Sequence, residues 1–383
     1  MKIFNRCNVL ALTLALMSCV GVAGAQLKIG GRDVVTLHRE KSGDGSKPEF
    51  LSVTVLPGRG MNVFQIMAFV PGNGDVPVLA SPTLEQAATL MNGGAGDENG
   101  TQSFKFGGAF LAPFANRIRG KLDGKDITTE WNGHPLTLVA NWQGKNPGAE
   151  PHAMHGLILA RSVDSVTESL AHNSVTGVIH GGDFGGHWFS KTDLHITVSL
   201  SGEAVVATIT AKNVGTVDEP VGIGWHPYFN LPSGDRTQAR LHVPGDLRAE
   251  VNNYDDVFPT GKLDPVKGTP FDFTAAGGAA LGKLFLDDNW VDLKKDADGH
   301  SYSEIIDPAA KYGIRITALS KEVNSVQVYA PVAEHFIALE PQFNYGDPFG
   351  KEWKGRDTGM VTLKPGQEVT WKVKLELFVP VSK

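Results

Sequence analysis

Wherever a pattern is legible in this chain, apolar and polar residues alternate with a period of two. Leu194, Ile196, Val198 and Leu200 alternate with His195, Thr197 and Ser199; a Ser-Gly-Glu turn follows at Ser201–Glu203, and a β-branched run resumes from Val205 to Ala211. That spacing and turn chemistry predict a hairpin. Near the C-terminus, Val369, Trp371, Val373, Leu375 and Leu377 alternate with Thr370, Lys372, Lys374 and Glu376, predicting a strand with one face on a core and the other in water. Shorter runs predict strands at Leu51–Leu56, Leu136–Ala140, Ile314–Thr317, Val326–Tyr329 and Phe336–Leu339. Helical signals are few. The best covers Pro82–Met91, with Ser81 as N-cap, Pro82 in the first turn and Asn92-Gly93 closing it. Gly and Pro are scattered, as turns between short strands require, and Gly93–Gly108 reads as a glycine-rich, acidic surface loop or insertion. The fold class expected is all-β, mainly antiparallel: a single β-sandwich domain over residues 26–383 with few short helices.

The first residues follow a different rule. Lys2 and Arg6 precede a nearly unbroken apolar run from Val9 to Val22, and Ala23-Gly24-Ala25 offers a small-x-small cleavage site. Residues 1–25 therefore read as a signal peptide, with a mature start at Gln26 and export to the periplasm or the medium. The run is shorter than the roughly 20 residues that span a bilayer, and a lipoprotein anchored at Cys19 is the weaker alternative. Both cysteines, Cys7 and Cys19, lie in this leader, so the mature chain has no thiol for a disulfide, a metal site or a nucleophile. The formal net charge is −6 with no basic run, which argues against a nucleic-acid partner and for a neutral, hydroxyl-rich ligand.

Candidate chemistry gathers on a few polar residues in apolar company. His226 lies among Trp225, Pro227, Tyr228 and Phe229 in a segment too irregular for a simple strand; an imidazole with a pKa of about 6.5 can give and take a proton near neutrality. Glu340 closes the run Phe336–Leu339, at a strand end where a carboxylate with a pKa of about 4.3 can act as a base. The planar fork of Arg117 suits vicinal hydroxyls. Asp287 is a candidate acceptor for them, with Asp288 competing. Trp225, Trp290 and Phe343 are candidate stacking platforms, or equally core residues. Glu150, His152 and His155 invite a metal reading, but Pro151 and Gly156 place them on a loop rather than on one face of a regular element, so no metal is expected. His180 and His187 flank Gly181–Gly186, which reads as a wide turn.

Ala115–Gly120 (Ala-Asn-Arg-Ile-Arg-Gly), His155-Gly156, His226–Leu231 (His-Pro-Tyr-Phe-Asn-Leu), Asp287 with Asn289-Trp290, and Leu339–Gln342 (Leu-Glu-Pro-Gln) occur in one order over more than half the chain. In these strings the chain resembles the aldose 1-epimerase (galactose mutarotase) family, from about residue 30 onward. The resemblance implies a large antiparallel β-supersandwich of the galactose mutarotase-like type and a cofactor-independent isomerase that interconverts α- and β-anomers of a free aldose such as glucose or galactose. It implies Glu340 as general base, His226 as general acid, His155 as the second active-site histidine, Asn116 and Arg117 as the sugar-contacting pair, and Asp287 as a hydroxyl-binding acid. Glu340 and His226 would then face each other across a sugar-sized gap, His226 as imidazolium. The chain departs from the family pattern at Trp225, where Asn is usual, at Leu157, where the family has a second glycine, and over Gly93–Gly108, which does not align. A non-catalytic carbohydrate-binding protein and a glycoside hydrolase or lyase on a similar sandwich are the competing classes; a hydrolase usually needs two flanking carboxylates.

Overall fold

The computed structural model describes residues 27–380; the expected signal peptide, its cleavage site and both cysteines lie outside them. Two large antiparallel sheets dominate, one of nine strands and one of eleven. The predicted hairpin lies in the nine-stranded sheet as Thr192–Leu200 and Ala204–Asn213, and its turn is closed by the Ser201 N–H donating to the Ala204 carbonyl at 2.9 Å. The C-terminal strand Glu368–Phe378 pairs with Ala204–Asn213 on one side and Tyr312–Ala318 on the other. Its alternation is used as expected: Val369, Trp371, Val373 and Leu375 are buried, while Thr370 and Lys372 are exposed.

The eleven-stranded sheet holds, side by side, Leu286–Val291, Ser325–Ala330, Phe336–Gln342, Gly224–Asn230 and Gly108–Leu111. Its inner face meets the other sheet. The Phe110 and Trp371 rings pack edge to face with centroids 6.2 Å apart, and the Trp371 indole N–H donates to the Pro341 carbonyl at 3.3 Å. One core cluster joins both sheets, including Val328, Leu339 and Trp225 from one and Ile196, Ile209 and Trp371 from the other.

The helix is shorter than predicted. It spans Leu84–Leu90, and its N-cap is Thr83 rather than Ser81. Thr83 and Gln86 form a capping box, each side chain accepting the other's backbone N–H, at 3.3 and 2.9 Å. The Ser81 hydroxyl is spent on the Phe64 carbonyl instead.

Glu219 is fully buried at the start of the short strand Glu219–Val221. Thr192 donates to one carboxyl oxygen at 2.6 Å, and the other has no hydrogen-bond partner. Burial pushes the carboxyl up to about 7. A raised folded-state pKa means that the folded state binds the proton more tightly; the stability this proton confers is full below the unfolded value of 4.5 and is lost as pH rises through about 7. Glu219→Gln is therefore expected to stabilise the protein by up to about 3 kcal/mol in alkali and to have little effect in acid. Urea denaturation at about pH 4 and about pH 8 checks this; equal effects at both would refute it.

Candidate active site

The site is built on two neighbouring rungs of the eleven-stranded sheet. Gly224 pairs with Gln342 and Tyr228 with Ala338, so antiparallel register sets His226 opposite Glu340. Glu340 pairs with Gln327 on the next strand, and Gln327 with Asn289 beyond it. The adjacent rung carries Tyr228, Ala338, Tyr329 and Asp287. Side chains two apart along a strand share a face, so both rungs point away from the core side that carries Trp225, Leu339 and Trp290.

This arrangement changes several expectations. The His226 segment is a regular strand, Gly224–Asn230, and Glu340 lies inside its strand, which continues through Pro341 to Gln342. Trp225, Trp290 and Phe343 are fully buried and are not stacking platforms. Asp287 faces the cleft, while Asp288 does not line it and is bound by Arg248 and by the hydroxyl of Tyr254.

The polar wall comes from two backbone kinks. Asn116 (φ 61°) and His155 (φ 63°) both adopt the left-handed conformation, costly for a residue with a Cβ. The His155 N–H donates to the Asn116 carbonyl at 2.8 Å, tying the kinks together. Gly156 follows with φ 81°, where a Cβ would lie 2.3 Å from the Ala112 carbonyl oxygen. Arg117 donates to Asn116 Oδ1 at 3.0 Å and to Asp287 at 3.1 Å. Gln327 joins the group, accepting from Asn116 Nδ2 at 3.0 Å and donating to Asp287 at 2.6 Å. Asn116 thus stands one step behind the surface, holding Arg117 and Gln327. Sequence reasoning missed Gln327; the signal was Ser325, Gln327 and Tyr329 alternating with Val326 and Val328.

These groups line a cleft of about 440 Å³ that includes Arg117, His155, His226, Asp287, Gln327 and Glu340. Its aromatic lining is Phe104, Trp142, Tyr228, Tyr254, Phe285 and Tyr329. Phe104 comes from the glycine-rich stretch read as a surface loop. That loop is pinned from inside by Arg59, which donates to Asp97 at 2.7 Å and to Ser103 at 2.9 Å; Arg59 and Asp97 are 3% and 1% exposed. The Phe104 ring packs edge-on against His155, centroids 5.0 Å apart, and His155 against His226 at 4.8 Å. The Glu150–His155 segment gathers no ligand set: Glu150 pairs with Arg119, His152 Nδ1 contacts the Glu150 carbonyl at 2.8 Å, and His155 faces the cleft. His180 lies inside the strand Ser174–Gly182, which runs two residues into the expected turn, and the turn that follows begins at Asp183 and includes His187.

His226 Nε2 lies 3.3 Å from Glu340 Oε1, and Gln342 donates to Glu340 Oε2 at 2.9 Å. Burial pushes the Glu340 carboxyl well above the ordinary range; the nearby Asp287 charge adds to this, while Arg117 and Gln342 oppose it. Burial pushes the His226 imidazole down to about 3 and His155 well below its ordinary value. The solution values expected from sequence do not hold here. Both shifts favour the uncharged forms, a protonated carboxyl beside a neutral imidazole. Nor do the two groups face each other across a gap: they stand side by side on one wall.

A family model described as aldose 1-epimerase matches residues 86–376. The chain belongs to the aldose 1-epimerase family. Among solved structures, the GalM/aldose epimerase homologue from C. elegans superposes with a TM-score of 0.66 at 18% identity, covering 91% of this chain and 99% of that one. A galactose mutarotase-like protein from Clostridium acetobutylicum gives 0.64 at 17%, covering 87% and 93%. At such identities the likeness concerns the fold, which for this aldose 1-epimerase family member is the galactose mutarotase-like one. The uncharacterized protein YphB of Escherichia coli K12 is 28% identical over 137 residues, 34% of this chain and 39% of that protein, so the chain spans well under half of that curated relative. Family and fold support a mutarotase-type, isomerase-type enzyme with a sugar substrate. No helix among the described residues is long and apolar enough to cross a membrane.

Proposed function

We propose that this family member interconverts the α- and β-anomers of an aldose such as glucose or galactose, with Glu340 as base and His226 as acid, and that it does so outside the cytoplasm. The observation carrying the reading is the contact of Glu340 with His226 at 3.3 Å on the wall of the cleft. The anomeric hydroxyl and the ring oxygen are bonded to the same carbon, so the groups serving them must be neighbours. Passing the shared proton from Glu340 to His226 gives a carboxylate and an imidazolium. Glu340 then takes the proton of the C1 hydroxyl while His226 protonates O5, and the C1–O5 bond breaks to give the open-chain aldehyde. Rotation about C1–C2 by about half a turn presents the other carbonyl face, and both proton transfers reverse. Each proton taken is returned, so the reaction written this way consumes no cofactor. Arg117, His155 and Asp287 would hold hydroxyls and steady the developing charge.

A purely binding cleft would gain nothing from burying a carboxyl against an imidazole, since desolvating them costs stability unless their chemistry is used. Polarimetry on a panel of aldoses with the purified protein tests the proposal; decay of optical rotation at the spontaneous rate would refute it. The pH dependence is a second test. With one proton on the pair, and with His226 lowered to about 3 and Glu340 raised, kcat/KM is expected to fall in strong acid, where the pair takes up a second proton, and to fall again towards alkali, where the raised Glu340 carboxyl gives up the shared one. A profile that halves near about 6.5, the ordinary histidine value, would contradict the one-proton pair.

A further inference from the structure

Arg117 reaches the cleft from a backbone that regular structure barely holds. Asn116 before it is left-handed, and its own strand, Arg117–Ile118, forms a two-stranded sheet with Ala153–Met154. The backbone groups that this leaves over along residues 115–119 are answered from one place, the loop that follows the Glu340 strand. The Ala115 N–H donates to Asn344 Oδ1 at 3.1 Å, and Asn344 Nδ2 donates back to the Ala115 carbonyl at 2.9 Å. The Asp347 N–H donates to the Arg117 carbonyl at 2.8 Å, and Asp347 Oδ1 accepts the Arg119 N–H at 3.0 Å. Residues 115, 117 and 119 are thus gripped in turn. A primary amide lets one side chain serve both the N–H and the C=O of Ala115. Gly222 gives that amide its room, since a Cβ there would lie 2.1 Å from Asn344 Oδ1. The clamp is itself anchored: Ser325 Oγ donates to the Asn344 carbonyl at 2.8 Å, and the Trp353 indole N–H to the Asp347 carbonyl at 3.0 Å. Asn344 and Asp347 are both buried.

We propose that Asn344 and Asp347 are positioning residues for anomer interconversion: by clamping the backbone of residues 115–119 they set the Arg117 guanidinium in its place in the cleft. The proposal rests on the epimerase reading. Arg117 Nε is buried with no hydrogen-bond partner among the described residues, while the two terminal nitrogens donate to Asn116 and Asp287. The guanidinium therefore keeps one donor unspent, free for a sugar oxygen. Such a donor helps only where that oxygen will lie, and a misplacement of about 1 Å can cost about 10²-fold in rate. The stretch from Glu340 to Asp347 is buried throughout, so base and guanidinium are registered against each other through one short piece of immobilised chain.

The experiment measures kcat/KM for anomer exchange of glucose and galactose by NMR, with thermal melts on the same samples. It compares the intact protein with Asn344→Leu, Asp347→Gly, Asp347→Asn and Arg117→Met, and with Arg117→Met combined with each of the first two. Asn344→Leu keeps the volume and removes the paired hydrogen bonds; Asp347→Gly keeps the left-handed backbone, φ 46°, and removes the carboxyl. Each is expected to lower kcat/KM by about 10²-fold, and Arg117→Met by at least as much. Burial and the neighbouring Glu352 push the Asp347 carboxyl well above its ordinary range, so the uncharged amide of Asp347→Asn stands in for it and is expected to recover most of the Asp347→Gly loss. Beside Arg117→Met both clamp losses are expected to vanish, because the group they position is gone, whereas general damage to the fold would multiply. Parent-like rates in Asp347→Gly or in Arg117→Met, or clamp losses that persist beside Arg117→Met, would overturn the clamp while leaving the epimerase intact. The Asp347 series decides if Asn344→Leu does not fold; an unfolded Asp347→Gly as well would make the clamp a folding element and overturn its catalytic role. Spontaneous-rate exchange in the intact protein would instead remove the epimerase reading, and the clamp's role with it.

Discussion

Glu340→Gln is expected to slow anomer interconversion by about 10²–10⁴-fold, the usual contribution of one positioned acid–base group. Glutamine keeps the shape and can still accept from Gln342, but it can neither hold nor return the shared proton. His226→Asn is expected to cost a similar factor. The double variant is expected to be little worse than either single one, because two groups passing one proton act as a unit. Stability moves the other way: Glu340 is a buried carboxyl with a raised pKa, so Glu340→Gln is expected to melt at or above the parent temperature. Polarimetry with thermal melts on the same samples separates the two effects. Parent-like rates in Glu340→Gln would remove Glu340 from the mechanism.

Asp97→Ala is expected to destabilise the protein by about 3–5 kcal/mol, because it leaves the Arg59 guanidinium buried without its counter-charge. The same carboxylate also accepts the backbone N–H groups of Gly93 at 2.7 Å and Gln102 at 3.1 Å, so the loop loses its internal tie along with the ion pair. Phe104 lies on that loop and presses on His155, so kcat/KM is expected to fall even where the variant remains folded. Urea denaturation measures the first effect and anomer exchange the second. Arg59→Met combined with Asp97→Leu removes both charges and is expected to recover much of the lost stability, since paired removal leaves no orphan ion. A double variant as unstable as Asp97→Ala would mean that the carboxylate's hydrogen bonds to the Gly93 and Gln102 N–H groups, not the ion pair, hold the loop.

What could be read from the sequence follows the physics of each element. The strands at Thr192–Leu200 and Glu368–Phe378 have one wet face, so their alternation survives in the residue order. Gly224–Asn230 is buried on both faces until its last residue, so no alternation marks it and Pro227 suggests irregularity. Glu340, His226, Arg117, His155 and Asp287 were all legible, and the structure brings them into one cleft. The choice between stacking platform and core residue stayed open because the segment of Trp225 did not read as a strand; within one, Trp225 must face away from its neighbour His226, and Trp290 away from Asp287, three positions earlier. Phe104 was not legible. Its stretch has no periodicity, and its position is set by Arg59, far away along the chain.

The His226–Glu340 pair and the hydrophobic core beneath it are alternate residues of the same two strands. Trp225 and Leu339 fill the interior, and His226 and Glu340, one position on, face the cleft. A strand cannot shift one of its sides while leaving the other in place. Trimming a methylene from the packing beneath would therefore change the reach of a proton as well as the melting temperature, and variants selected for thermal robustness at these positions would have to be screened again for turnover.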